Sequence, residues 1–340
     1  MLKLTNNSNR VKLLIGFIIS AIFLYLAFRK VNINQLISAF AIINYWYLIP
    51  ATLVFFLSLW LRAYRWGVFF KPIREMSMKS LYSALLVGYM GNNIFPFKLG
   101  EFIRAYYIGK FEGISKTESF ATIVIERVLD ILTILIILGF TLFLQPLPSY
   151  IKTGGLILFF LCCITILFLF FLIMKTDITI HFYQIITGKL PKKLSLRGEY
   201  IIKALSNGLI ILKKRQYFFK ITIITVGIWF FYIIIIQMLI VAFDFNLVYR
   251  VPVIACVTIL VMSGISVSVP SSPGYIGTFH YLVMQSLVLY KVSDSEALSF
   301  AIVYHALNTI PVTILGFYLY IRQQINFQAL ISNKNIGGIE

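Results

Sequence analysis

Hydrophobic residues along this chain gather into long blocks separated by short polar connections, most of them basic. Blocks at 11–28, 44–61, 119–144, 154–174, 218–242, 251–269 and 297–321 each read as a membrane-spanning helix, because about 20 apolar residues rising 1.5 Å apiece cross a ~30 Å hydrocarbon core. Two further apolar segments, 80–97 and 274–290, are short or interrupted. One interruption runs GYMGNNIFPFKLGEFIRA from Gly88 to Ala105, the other SGISVSVPSSPGYIGTFH from Ser263 to His280. Pro cannot continue a helix, and in lipid a broken helix leaves N–H and C=O groups that only protein or a water-filled cavity can satisfy. A pair of such breaks, one in each half of a polytopic chain, is the sequence mark of a transporter's binding site, often within an inverted repeat.

Basic residues orient the blocks. Lys3, Arg10 and Lys12 precede or open the first; Arg62, Arg65, Lys71, Arg74 and Lys79 follow the second; ten more lie from Lys175 to Lys220. The positive-inside rule places these three regions in the cytoplasm and the sparser connections near 29–45, 145–153 and 243–250 outside. No small-residue cleavage site follows the first block, which reads as an uncleaved span. Lys98, Arg104, Lys110 and Lys116 mark 98–118 as cytoplasmic as well, so both ends of 80–97 lie inside and that segment reads as re-entrant. For 274–290, crossing and dipping both stay open. Residues 198–212 set Ile201, Ile202, Leu205, Leu209 and Leu212 near one helical face, either a helix on anionic headgroups or an ordinary solvated loop.

The expected architecture is an all-α polytopic membrane protein with about 7–8 transmembrane helices and one or two re-entrant or broken helices. It forms a single domain over 1–325, with a basic cytoplasmic loop at 175–217 and a short cytoplasmic tail at 326–340. Composition agrees: 60% of the 340 residues are hydrophobic and 12% charged, which leaves no polar stretch to build a soluble catalytic domain. The net charge of +18 follows from basic loops and does not call for nucleic acid. Cys162, Cys163 and Cys256 sit in apolar runs without disulfide or metal spacing. The three His residues lie far apart without acidic companions, so neither a metal nor another cofactor is expected.

Charged residues inside apolar blocks are the candidate chemistry. Glu126, Arg127 and Asp130 interrupt the 119–144 block. A charge at mid-bilayer costs about 2.5–3.5 kcal/mol, so these must pair, face the protein interior or lie near the interface. Glu126 and Asp130 share a helical face, and Arg104 or Lys98 is the expected partner. Either a structural ion pair or a binding and gating role fits. Glu101 and Arg104 follow Pro96 and Gly100 at a helix break, where Arg suits phosphate oxygens and freed N–H groups near Gly91, Asn92 and Asn93 suit an anion; a polar cap on a loop fits the same residues. Pro270, Ser271, Ser272, Pro273, Gly274 and Gly277 form the second break, and a half-helix starting near Gly277 would aim its positive N-terminus inward. His280 and His305 read as hydrogen-bonded packing residues or as proton carriers.

These motifs resemble the flippase-like transmembrane region of lysylphosphatidylglycerol synthases and its stand-alone relatives. The family pattern is roughly N-x-x-P-x-R-x-G-E-x-x-R, E-R-x-x-D, P-x-S-P-G-G-x-G-x-x-E and a late Tyr-Arg. Here stand Asn93, Pro96, Lys98, Gly100, Glu101 and Arg104; Glu126, Arg127 and Asp130; Pro270, Ser272, Pro273, Gly274 and Gly277; and Tyr304 with His305. Lys98 replaces an Arg, Tyr275 a Gly, His280 the Glu and His305 the Arg, so a polar contact is kept with its charge altered. The resemblance implies translocation of a polar-headgroup lipid or lipid-linked glycan across the cytoplasmic membrane of a prokaryote. The substrate-binding residues it implies are Asn93, Lys98, Glu101, Arg104, Glu126, Arg127, Asp130, Ser272, Gly274, His280 and His305. Aminoacyl transfer in the two-domain synthases belongs to a soluble C-terminal domain; none follows the last apolar block here, so a transporter is expected rather than a lysyltransferase. The alternative is a membrane-embedded transferase acting on a lipid-linked substrate. Such an enzyme needs acids facing outward, and only Asp244, Asp294 and Glu296 are placed there.

Overall fold

A computed structural model of the chain describes residues 7–71, 74–95, 98–144, 215–268 and 272–323, with scattered positions between 149 and 203. The expected span 154–174, the basic loop 175–217, the amphipathic face 198–212, the tail 326–340 and Pro96, Pro270 and Ser271 lie wholly or largely outside the described residues. Among the described residues there is helix and no strand. The helices are α1 (Asn7–Phe28), α2 (Ile33–Ile42), α3 (Leu48–Phe70), α4 (Met78–Ile94), α5 (Leu99–Glu112), α6 (Lys116–Leu144), α7 (Arg215–Ala242), α8 (Phe245–Val248), α9 (Ile254–Ser268), α10 (Thr278–Val288) and α11 (Asp294–Arg322). The all-α polytopic membrane fold read from the hydrophobic blocks is the fold found.

Among the described residues, three stretches are long and apolar enough to cross a membrane: Tyr45–Phe70, which adds a 3₁₀ turn to α3, then α7 and α11. A fourth arises if α1 and α2, bent by 83° at their break, are counted as one span. The bend has a local cause. Asn32 caps α2, its Oδ1 accepting from the N–H groups of Asn34 and Gln35, and its own N–H donates to Ser295 Oγ at 3.0 Å. The sequence places 29–45 in a connection, because ten residues of short helix give little periodicity to read.

Two segments fold back on themselves. In the first, α4 and α5 meet through glycine: a Cβ built on Gly100 would lie 1.8 Å from the Gly88 carbonyl oxygen, and one on Gly91 would lie 2.9 Å from Gly100 Cα. Contacts descend α4 as they ascend α5, from Gly91–Gly100 to Gly88–Arg104, so the helices are antiparallel. At the other end Arg74 Nη1 donates to the Glu112 carbonyl at 2.9 Å, bringing the two feet together. The returning limb is therefore α5, which the sequence assigns to a cytoplasmic stretch. Its charges at Glu101, Arg104 and Lys110 mask a helix that buries Ile103, Ala105, Tyr107 and Ile108.

In the second, α9 packs against α10, and Thr258 on α9 shares a 2.9 Å hydrogen bond with Tyr290 just past α10. These helices have 15 and 11 residues, about 22 and 17 Å at 1.5 Å per residue. Neither reaches across ~30 Å of hydrocarbon, which favours dipping over crossing for 274–290 and shortens the span expected at 251–269.

The chain divides into two compact units, Met1–Leu59 with Ser83–Arg104 and Ile228–Glu340, and Trp60–Tyr82 with Ala105–Gly227. In chain order each half holds a long helix, a fold-back hairpin and a second long helix: α3, α4–α5, α6, then α7, α9–α10, α11.

Candidate functional site

The hairpin tips meet in the first unit. Gly274, at φ 67°, takes a left-handed conformation that glycine adopts without strain, and a Cβ added there would stand 3.4 Å from the Asn93 carbonyl oxygen. The two breaks found in the sequence thus face each other across about the width of a methyl group. One face of α11 completes the junction. Asn93 Nδ2 donates to Thr313 Oγ1 at 2.8 Å, Thr313 Oγ1 to the Thr309 carbonyl at 2.6 Å, and Thr309 Oγ1 to the His305 carbonyl at 2.7 Å. His305 Nε2 lies 2.7 Å from the Gly274 carbonyl, so it donates, and the polar circuit closes from one tip through α11 to the other. His305, Thr309 and Thr313 follow at i, i+4 and i+8. Sequence reasoning passes over the two threonines, although that spacing from His305 is the signal that would find them.

His280 and His305 are neighbours, with ring centroids 4.8 Å apart. His280 Nδ1 accepts the Gly277 N–H at 3.3 Å, so this neutral ring carries its proton on Nε2. His280 and His305 thus form a contact between two hydrogen-bonding rings. The half-helix expected near Gly277 begins at Thr278. Its N-terminus is partly occupied: His280 holds the Gly277 N–H, and a Cβ on Gly277 would lie 2.5 Å from the Ser20 carbonyl of α1. Ser20 Oγ also accepts the Ser272 N–H at 2.9 Å. Ser272 Oγ turns back to the Ile276 carbonyl at 3.2 Å. Lys98 occupies the first tip at φ 52°. Glu101 and Arg104 lie on α5, Arg104 only 3% exposed with its Cβ 3.1 Å from where a Gly88 side chain would begin.

The charge cluster belongs to the second unit and has partners that the sequence does not suggest. Arg62 Nη2 lies 2.5 Å from Asp130 Oδ2 and Arg65 Nη2 2.6 Å from Asp130 Oδ1. Glu126 Oε1 sits 2.8 Å from Arg127 Nη2, 3.4 Å from Arg62 and 3.6 Å from Arg65. Arg65 also donates to Thr225 Oγ1 at 3.1 Å. The expected partners of Glu126 and Asp130, Arg104 and Lys98, belong to the other unit. Arg62 and Arg65 reach these acids because α3 does not stop at residue 61 but runs to Phe70, which makes them helical residues on one face and not loop residues. Arg65 and Glu126 are fully buried, and each charge there must be met by an opposite one. Among the described residues no three His, Cys, Asp or Glu side chains converge to hold a metal ion.

Long apolar helices, paired interior charges and two fold-back hairpins with closely apposed tips define an integral, multi-pass membrane protein. Comparison of sequences gives the family. Residues 13–316 match the lysylphosphatidylglycerol synthase TM region, and the chain belongs to that family. It is 34% identical over 158 residues to a UPF0104 membrane protein of Methanocaldococcus jannaschii, covering 45% of this chain and 44% of that one. It is 32% identical over 105 residues to a UPF0104 membrane protein of Methanothermobacter thermautotrophicus, covering 28% and 31%. A protein named glycosyltransferase AglD, of Haloferax volcanii, is 26% identical over 153 residues, covering 44% of this chain and 23% of that one. The matched stretches thus span less than half the length of each of these relatives. No solved structure matches.

Proposed function

We propose that this protein moves a polar-headgroup lipid or a lipid-linked glycan between the leaflets of the cytoplasmic membrane. The observation that carries the reading is the contact of the two hairpin tips at Asn93 and Gly274. By the positive-inside count the first hairpin enters from the cytoplasm and the second from outside. Tips that meet from opposite faces leave a single polar seam, lined by Asn93, Thr309, Thr313, His280 and His305, as the barrier to a headgroup. Parting them opens a hydrogen-bonding path while acyl chains stay in lipid, a form of alternating access around a fixed site. Pro311 inside α11 removes a helical hydrogen bond between the two threonines and supplies a place for that helix to flex. Lys98, Glu101, Arg104, Ser272 and Gly274 are proposed to contact the headgroup. Glu126, Arg127 and Asp130, with Arg62 and Arg65, fix α3 to α6 within the second unit.

The purified protein in vesicles is expected to move fluorescent polar-headgroup lipids between leaflets. Thr313→Val, which keeps shape and removes the hydroxyl, is expected to slow this about tenfold, corresponding to ~1.4 kcal/mol for one lost hydrogen bond. Movement no faster than in protein-free vesicles, across a panel that includes lipid-linked sugars, would sink the proposal. The name of the Haloferax volcanii relative favours a second reading, transfer of a saccharide on a lipid carrier. Mass analysis separates the two: a flipped lipid changes leaflet with unchanged mass, whereas a transferase changes the mass.

Topology is tested separately. Lys79 and Lys110 are exposed at the feet of the first hairpin, and Asp244 and Lys291 at those of the second. Cysteines at the first pair are expected to react with an impermeant reagent only from the cytoplasmic side, and at the second pair only from outside. Any reversal within a pair breaks the re-entrant assignment.

A further inference from the structure

Away from the hairpin tips, the second unit holds a cavity of about 360 Å³ lined by Trp60, Tyr64, Gly67, Val68, Lys71, Glu75, Met76, Met78, Leu81 and Lys220. That volume falls within the range of small-ligand sites. Its wall is a single face of α3, since Trp60, Tyr64, Gly67, Val68 and Lys71 follow helical spacing. Trp60 stacks on Tyr64 at 5.8 Å with the rings 6° from parallel, and Lys220 Nζ lies 4.8 Å from the Tyr64 ring centroid. Aromatic side chains beside lysines are the composition of a membrane–water interface, and basic residues cluster here: Lys71 and Arg74 just past the end of α3, Lys79 at the start of α4, and Arg215 and Lys220 in the first turns of α7. An anion already sits here, for the Glu75 carboxylate pairs with Lys71. This pairing raises the Lys71 pKa and lowers that of Glu75.

We infer that this groove binds an anionic phospholipid of the cytoplasmic leaflet, its phosphate held by Lys71 and Lys220 and an acyl chain laid along Trp60, Val68, Met78 and Leu81. Two lysines and one acid leave the groove with an excess positive charge that a zwitterionic headgroup would not meet. The phosphate takes the place of the Glu75 carboxylate on Lys71, so Glu75 acts as an internal competitor for the site. Because the groove shares no residue with the tips, binding does not depend on the translocation reading.

Quenching of Trp60 fluorescence by brominated lipids tests this at equilibrium without reading lipid movement. Trp60 is 44% exposed, and the Trp60→Phe variant isolates its signal from the other tryptophans. At equal mole fraction, brominated phosphatidylglycerol is expected to quench Trp60 several-fold more than brominated phosphatidylcholine. Joint Lys71→Gln and Lys220→Gln substitution should erase the difference, and Glu75→Gln should enlarge it. Equal quenching by both lipids in the parent overturns the inference. So does a preference that survives the double substitution, or a Glu75→Gln variant that loses it. Displacement of the lipid by soluble glycerol phosphate would assign the groove to a free phosphate ester instead.

Discussion

Gly100→Ala is expected to yield almost no folded protein, whereas Gly139→Ala leaves stability within about 1 kcal/mol of the parent. Both glycines lie in helices, so intrinsic propensity favours alanine at each. They differ in what surrounds them. A methyl group at Gly139 meets nothing within 4 Å, while one at Gly100 would lie 1.8 Å from the Gly88 carbonyl oxygen and 2.6 Å from the Asn92 backbone nitrogen. Crowding between side chains costs about 1–3 kcal/mol because rotamers yield. Here both obstacles are backbone, so α4 and α5 must separate, and with them the tip that touches Gly274. Against a total stability of about 5–15 kcal/mol that is a large fraction. Folded yield and thermal stability in detergent measure the effect. The obstacle at position 88 is a main-chain oxygen, so no side-chain change there should restore Gly100→Ala; such a suppressor would show that the hairpin is looser than this packing.

What the sequence discloses depends on the size of the physical signal. Blocks of about 20 apolar residues announce helices in lipid almost regardless of their neighbours, so α1, α3, α6, α7 and α11 are legible. The two Pro/Gly breaks are legible for the same reason, since only an enclosed segment can afford them. The returning limb α5 is not. Fourteen residues carrying Glu101, Arg104, Lys110 and Glu112 look like a polar connection, and only packing on α4 shows that their apolar face is buried. The short lengths of α9 and α10 are only partly legible: Pro270 and Gly277 mark the break between them, whereas Leu289 and Tyr290 continue the apolar run past the end of α10.

For the site, the breaks and His305 direct attention to the right residues, yet Thr309 and Thr313 are common side chains whose importance comes from what lies opposite. The charge cluster shows the opposite failure. Glu126 and Asp130 are conspicuous, but their partners Arg62 and Arg65 resemble the basic loop that the positive-inside rule leads one to expect. A helix extended by two and a half turns beyond its apolar block is invisible to hydropathy. What remains readable is the complementary spacing of the two arginines, three apart, and the two acids, four apart, which fits one helix face to another.

That spacing leads to the second large effect. Asp130→Ala is expected to destabilise the protein by about 3–5 kcal/mol, because it takes from the buried Arg62 and Arg65 the carboxylate that meets both most closely and leaves them the more distant Glu126. Arg127→Ala should cost about 1 kcal/mol or less, since that side chain is 28% exposed and solvent screens its pairing. Arg65→Met removes a fully buried cation that contacts both acids and Thr225, and its cost should fall near that of Asp130→Ala. Joining Arg65→Met to Asp130→Leu removes opposite charges together, so the double variant should be more stable than the sum of the single changes by about 1–3 kcal/mol. Thermal unfolding of the parent, Arg65→Met, Asp130→Leu and the double variant in one detergent gives the coupling. Additive costs would mean that the two residues do not act as a pair. Lipid movement measured per folded molecule then separates structure from mechanism: a clamp between α3 and α6 changes the folded fraction and leaves the rate per molecule near that of the parent, whereas a headgroup contact lowers that rate in every folded variant that lacks it.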